Sequence, residues 1–200
     1  MSLGPVVFDE LVLASTSPAR RALLDGLGLP YVVVAPEVDE VVAPGTPASH
    51  AVAILAERKA RAVYAKKPRG LIIGSDQLAS MAGQVLGKPP DARAAKAQLT
   101  SMVGKTHELF TGLCVIANGF LVTEVDVARL TMFPIDDREL EGYVATGEWQ
   151  GCAGSYRIEG RGQSLFSRIE GDRAAIRGLP MQRLVRILRE AGVFSNGGTT

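Results

Sequence analysis

Leu11-Val12-Leu13-Ala14-Ser15-Thr16-Ser17-Pro18-Ala19-Arg20-Arg21 is the stretch on which the reading of this chain turns. Its four apolar residues read as a short buried strand that runs straight into a hydroxyl-rich turn. Ser17 is a good helix N-cap, and Pro18 suits the first helical position, where its missing N–H costs nothing. A strand that delivers a helix N-terminus presents free backbone N–H groups and a partial positive charge, which together suit an anion. With Ser15, Thr16, Arg20 and Arg21 added, the segment reads as a phosphate cradle. The alternative is an ordinary strand-to-helix connection with a solvated arginine pair. The pattern is neither the G-x-x-x-x-G-K-[ST] loop nor the dinucleotide G-x-G-x-x-G fingerprint.

Outward from this segment, Pro18 to Leu27 reads as a helix ended by Gly26 and Gly28, and Tyr31 to Ala35 as a buried β-branched strand. Ala48 to Lys67 places Ala51, Ile54, Leu55 and Ala62 near helical spacing, so a long helix closed by Pro68 is expected. Leu71-Ile72-Ile73 is a short central strand that stops at Gly74-Ser75-Asp76-Gln77. A hairpin around Gly83 follows, then a helix from Asp91 to Leu99 with Asp91 as its cap. Asn118-Gly119 joins two β-rich runs, 108–117 and 121–133, as a hairpin. Helices over Asp136–Ala145 and Pro180–Ala191 flank a strand over Ser164–Ile169. Strands alternating with helices, plus one antiparallel pair, argue an α/β fold with a mixed sheet. A single domain over 11–194 is expected, with 1–10 and 195–200 as tails; Met1-Ser2-Leu3-Gly4 is set outside the fold as a leader remnant.

With 200 residues, 46% hydrophobic and 22% charged, the composition is that of a soluble globular protein able to bury a proper core. Lys+Arg 22 against Asp+Glu 21 leaves a net charge of +1, which speaks against a nucleic-acid polymer as partner. A small phosphorylated ligand needs only a local basic cluster. No apolar run has the length of a membrane span. Cys114 and Cys152 form no C-x-x-C pattern, so a reduced, cytoplasmic protein is the simplest reading.

Four further polar clusters lie at the ends of apolar elements: Pro36-Glu37-Val38-Asp39-Glu40, Glu57-Arg58-Lys59-Ala60, Gly74-Ser75-Asp76-Gln77 and Gly87-Lys88-Pro89. Carboxylates suit a hard divalent cation, while lysines and arginines suit a polyphosphate. Both kinds at several element ends together mark a metal–phosphate site. Taken singly, Asp39 and Glu40 read as solvated turn carboxylates and Lys59 as part of a solvated helix face. Asp76, directly after an apolar strand, is harder to dismiss. His50 and His107 have no companions at ligand or triad spacing, no G-x-S-x-G elbow is present, and Trp149 reads as packing.

These segments, in order and with Thr111-Gly112, resemble the Maf family of nucleotide pyrophosphatases over nearly the whole folded chain. The resemblance implies an elongated mixed-sheet α/β fold related to inosine triphosphate pyrophosphatase, with two lobes flanking an active-site cleft. It implies hydrolysis of a nucleoside triphosphate to the monophosphate and pyrophosphate with a divalent cation, and a homodimer is compatible with it. Magnesium is expected because it bridges phosphates through a few carboxylates and retains waters, and manganese or cobalt suits the same oxygen-rich site. Carried over residue by residue, Asp76 is the general base, and Glu37 and Asp76 hold the metal. Ser15, Arg20, Lys59 and Lys88 hold the triphosphate, and Ala19, Gln77 and Glu159 face the base. Gly74-Ser75-Asp76-Gln77 and Cys152-Ala153-Gly154-Ser155-Tyr156-Arg157-Ile158-Glu159-Gly160 resemble the 7-methyl-GTP branch. Ala19 departs from the large aromatic residue of the family, and Asp172 to Pro180 lacks its asparagine before Gly-Leu-Pro. A dTTP/UTP pyrophosphatase and a non-enzymatic cell-division regulator are the competing readings.

Overall fold

The structure, a computed structural model, describes residues 6–194; Met1-Ser2-Leu3-Gly4 and the expected tail 195–200 lie outside the described residues. In chain order the strands are β1 (Glu10–Ala14), β2 (Val32–Val33), β3 (Gly70–Met81), β4 (Gln84–Leu86), β5 (Thr106–Ala117), β6 (Phe120–Met132) and β7 (Phe166–Glu170). The helices are α1 (Pro18–Asp25), α2 (Ala48–Lys66), α3 (Ala92–Met102), α4 (Asp137–Val144), α5 (Arg173–Ile176) and α6 (Met181–Glu190). The strands form one mixed sheet of seven, in the order β2-β1-β3-β5-β6-β7 with β4 beside β3. β1 runs parallel to both β2 and β3, while β3/β4 and β6/β7 are antiparallel.

The described residues divide into two compact units: 6–76 with Thr111–Asp126 and 178–194, and Gln77–Phe110 with Val127–Arg177. In the first unit the apolar runs are buried on both sides, and their alternation sorts them into two cores. Leu13, Leu71, Ile73, Leu113 and Val115 meet Leu184, Ile187 and Leu188 of α6. Val12, Ile72, Cys114 and Ile116 meet Ala56, Ala60 and Val63 of α2. This is the period-2 consequence of a sheet covered on both faces. A Cβ on Gly74 would lie 2.5 Å from the Ala56 carbonyl oxygen and 2.8 Å from the Ala60 Cβ, so only glycine lets α2 press this close to β3. The second unit has its own core, in which Leu99 and Met102 of α3 meet Leu130, Met132, Leu140, Tyr143, Tyr156 and Phe166.

Four elements depart from expectation. The run 31–35 gives only the two-residue β2, with Val32 and Val33 exposed, because β2 is the sheet edge and pairs on the β1 side alone. β3 does not stop after Ile73 but continues through Gly74-Ser75-Asp76-Gln77 to Met81. Polar residues persist in this buried strand because each finds a partner, as described below. The segment 6–10, expected to be tail, carries Val6 in the core and Glu10 in β1. The short helix α5, capped by Asp172, was not visible in the sequence. The caps at Ser17 and Asp91 stand where expected, and Asp136 caps α4 as a full capping box with Glu139.

Candidate active site

In the first unit, β1 hands its chain to α1 as the opening segment required. Ser15 is buried at the strand end, and its Oγ accepts from the Ser17 N–H at 3.2 Å and from the Arg20 guanidinium at 3.3 Å. Ser17 Oγ accepts from the Arg20 N–H, and Pro18 opens the helix. Arg20 Nε donates to the Gly178 carbonyl oxygen at 2.8 Å. Gly178 has φ 100°, and a Cβ there would stand 3.0 Å from Arg20 Nε, so glycine at this point holds the guanidinium in place. Ser75 Oγ lies 2.7 Å from the Gly112 carbonyl oxygen and 2.8 Å from that of Gly178, which ties β3 into the same arrangement.

α2 brings Lys59 to Asp76. Both are 6% exposed, and the ammonium donates to Asp76 Oδ1. The same Nζ lies 2.6 Å from Glu40 Oε1. Arg58, the preceding residue, donates to the carbonyl oxygens of Asp39 at 2.6 Å and Val41 at 2.8 Å. The two carbonyls flank Glu40, so Arg58 fastens the loop while Glu40 reaches Lys59. Burial pulls the Arg20 guanidinium below its ordinary value, and the nearby carboxylates of Asp76 and Glu40 oppose that pull. Ser15, Arg20, Lys59, Asp76 and Glu40 therefore form one cluster of two cations and two anions beside a helix N-terminus. A buried cation between carboxylates is held by desolvation-sensitive pairing, and such groups respond strongly to a charged ligand.

The other expected residues fall elsewhere. Glu37 is exposed, has φ 25°, and pairs with Lys66 Nζ at 2.6 Å, whose hydrogen bond holds its carboxyl below the usual range. Ala19 is half-buried on the first turn of α1. In the second unit, Gln77 donates through its amide nitrogen to the carbonyl oxygens of Ala175 at 2.9 Å and Ile176 at 3.0 Å. Lys88 is exposed on the segment after β4. Glu159 lines a cavity of about 520 Å³ whose apolar wall includes Phe166, Ile169 and Ile176, and which Arg173 and Arg177 also line. Among the described residues no group of three or more histidine, cysteine or acidic side chains stands together as a metal cage. No helix there is long and apolar enough to cross a membrane.

The sequence passed over Glu40, which read singly as a turn carboxylate, and the carbonyl of Gly178. For Glu40 the signal was present: three carboxylates in five residues just past a strand, of which Glu37 was singled out while Glu40 is the one that reaches Lys59.

A helix N-terminus, a serine, an arginine and a carboxylate-bridged lysine at the C-terminal edge of parallel strands define a phosphate-handling α/β protein. Residues 10–191 match the family described as Maf-like protein, and the chain belongs to that family. Among its relatives, a protein of Nitrosococcus oceani named 7-methyl-GTP pyrophosphatase is 41% identical over 96% of this chain and 98% of its own length. A dTTP/UTP pyrophosphatase of Symbiobacterium thermophilum is 36% identical over 94% and 98%, respectively. A dTTP/UTP pyrophosphatase of Bacillus cereus is 35% identical over 92% and 96%.

Proposed function

We propose that this Maf-family nucleotide pyrophosphatase hydrolyses 7-methyl-GTP foremost, giving the monophosphate and pyrophosphate by attack of water on the α-phosphorus. The observation that carries the reaction is the buried Lys59, shared between Asp76 and Glu40 beside the Ser15–Arg20 pair. Phosphoryl transfer asks for positioning and charge neutralisation far more than for covalent participation. Arg20, Lys59, Ser15 and the N–H groups opening α1 hold the phosphates, and Lys88 adds a further cation. Asp76 takes the proton from water as its oxygen bonds to phosphorus, and pyrophosphate departs with the electron pair of the broken P–O bond.

A hard divalent cation fits this donor set. Magnesium is held through one or two carboxylates together with substrate phosphates, and Asp76 and Glu40 supply two such carboxylates on a common partner. Manganese or cobalt suits the same oxygen donors. When bound, such an ion neutralises charge on the phosphates. In this reading Glu40 takes the role expected of Glu37, whose carboxylate is engaged by Lys66.

The base preference rests on Glu159, a carboxylate lining a partly apolar cavity. It can accept from the N1–H and exocyclic amine of guanine, a pairing that thymine and uracil cannot reproduce, and it gains further from the cationic 7-methylated ring. The competing reading, dTTP or UTP, is favoured by the names of the relatives at 35–36% identity. Purified protein with magnesium, incubated with 7-methyl-GTP, GTP, UTP and dTTP, separates them by pyrophosphate release. Fastest release from 7-methyl-GTP is expected. Fastest release from UTP or dTTP would reassign the substrate, and none from any nucleotide would favour the regulator.

A further inference from the structure

The cavity lined by Glu159 carries more positive than negative charge that is not already paired. Arg168, on the same cavity, is neutralised by Glu170 at 2.7 Å. Arg173 and Arg177 line it too, and neither guanidinium makes an ion pair or side-chain hydrogen bond among the described residues. Against these two cations stands the single carboxylate of Glu159. Arg173 and Glu159 are exposed, so solvent and salt screen their fields. Arg177 is half-buried, and its Nε is enclosed with no hydrogen-bond partner among the described residues. Its charge is the least screened of the three.

A buried N–H left unpaired is destabilising, and no partner among the described residues accounts for an arginine here. Replacing it with an apolar side chain of similar length removes the unpaired donor and leaves the packing filled. An interaction that acts on the ligand instead depends on the ligand's charge. A guanine ring is neutral and offers carbonyl and ring-nitrogen acceptors to a guanidinium. Methylation at N7 makes the ring a cation and removes one acceptor, so the same guanidinium repels it.

Resting on the base assignment above, we propose that Arg177 is a specificity-determining residue that penalises a cationic base and narrows the preference for 7-methyl-GTP over GTP. Glu159 draws the methylated ring in, and Arg177 sets how far that preference extends. The two residues act on one ligand charge with opposite sign, and the observed selectivity is their difference.

The test is the ratio of kcat/KM for 7-methyl-GTP to that for GTP, followed by pyrophosphate release with magnesium, in the wild type, Arg177→Met and Arg177→Lys. Arg177→Met is expected to raise the ratio by at least about fivefold, the size of one unit-charge interaction at about 4 Å under the screening of bulk water. Arg177→Lys, which keeps the charge, is expected to stay near the wild-type ratio. Thermal unfolding of Arg177→Met should be no lower than wild type, so a changed ratio is not a folding defect. An unchanged ratio in Arg177→Met, or an equal rise in both variants, overturns the proposal while leaving the pyrophosphatase reading in place. Wild-type protein that hydrolyses UTP or dTTP but neither guanine nucleotide ends the base assignment, and this proposal with it.

Discussion

Lys59 and Asp76 form a buried ion pair across the contact between α2 and β3, and the same ammonium reaches Glu40 on the loop after β2. Two carboxylates on one lysine are arranged for exchange. In the proposed reaction an arriving polyphosphate would give Lys59 a new partner and leave Asp76 and Glu40 available to water and to a cation. On that proposal the pair is both a structural contact and the resting state of the site.

The first prediction separates these two roles. Lys59→Met leaves Asp76 buried without its cation, and removing one partner of a buried pair commonly costs about 3–5 kcal/mol. Asp76→Asn leaves Lys59 paired with Glu40, so its stability loss is expected to be the smaller of the two. Both variants should lose pyrophosphate release, on the order of 10²–10³-fold for a single well-placed group. Thermal unfolding with a matched activity assay checks this. A larger stability loss for Asp76→Asn than for Lys59→Met would contradict the pairing described.

The second prediction concerns Arg58, which holds the Asp39 and Val41 carbonyls on either side of Glu40. Arg58→Ala should loosen this loop without touching the phosphate-binding groups. Stability changes should be modest, because the side chain is only half-buried and bonds a surface loop. The magnesium concentration for half-maximal activity should rise several-fold, while KM for nucleotide at saturating magnesium stays near wild type. An unaltered magnesium dependence would remove Arg58 from its positioning role.

A third prediction follows from a histidine outside the site. His107 is buried, hydrogen-bonds Tyr156 Oη through Nε2 at 2.8 Å, and its Nδ1 has no partner among the described residues. Burial pushes its pKa from the ordinary 6.5 down to about 4. The unfolded chain therefore binds the proton first as pH falls. The stability from neutral His107 is fully present above 6.5 and is lost progressively down to about 4. The span corresponds to about 3 kcal/mol at most. Unfolding free energy against pH should flatten over that window in His107→Phe relative to wild type. Parallel slopes for the two proteins would show that His107 is not the group responsible.

Much of this was legible in the sequence because local chemistry and tertiary demand agree. The Ser17-Pro18 helix start, the Asn118-Gly119 turn and the Asp136 cap each follow from backbone hydrogen-bonding needs that do not depend on the rest of the chain. The continuation of β3 through Gly74-Ser75-Asp76-Gln77 was not legible, because a run of polar residues is buried here only where distant partners satisfy it. Those partners are Gly112, Gly178 and Lys59. Val32 and Val33 failed in the opposite sense: a β-branched pair says strand but does not say edge. Glu40 shows the same limit within the site. Its sequence neighbourhood contains three carboxylates; Lys66 engages Glu37, the Val41 N–H engages Asp39, and Arg58 holds the two carbonyls that flank Glu40, the one that reaches Lys59.

The last prediction tests the carboxylate proposed to read the base. Glu159 is exposed at the cavity rim, so Glu159→Ala should leave stability within about 0.5 kcal/mol of wild type, as surface substitutions usually do. Its effect should fall on the base and not on the phosphates. With 7-methyl-GTP the variant loses two hydrogen bonds and the attraction of a carboxylate for a cationic ring. With UTP or dTTP it loses neither. Discrimination that rests on such pairings can be large, because the wrong base leaves the polar groups of the site unpaired. A fall in kcat/KM for 7-methyl-GTP of roughly a hundredfold is expected, against less than a few-fold for UTP and dTTP. Pyrophosphate release across the panel provides the measurement. Equal losses on all nucleotides would place Glu159 in the structure of the cavity and not in contact with the base, and the preference for a methylated guanine would then need another source.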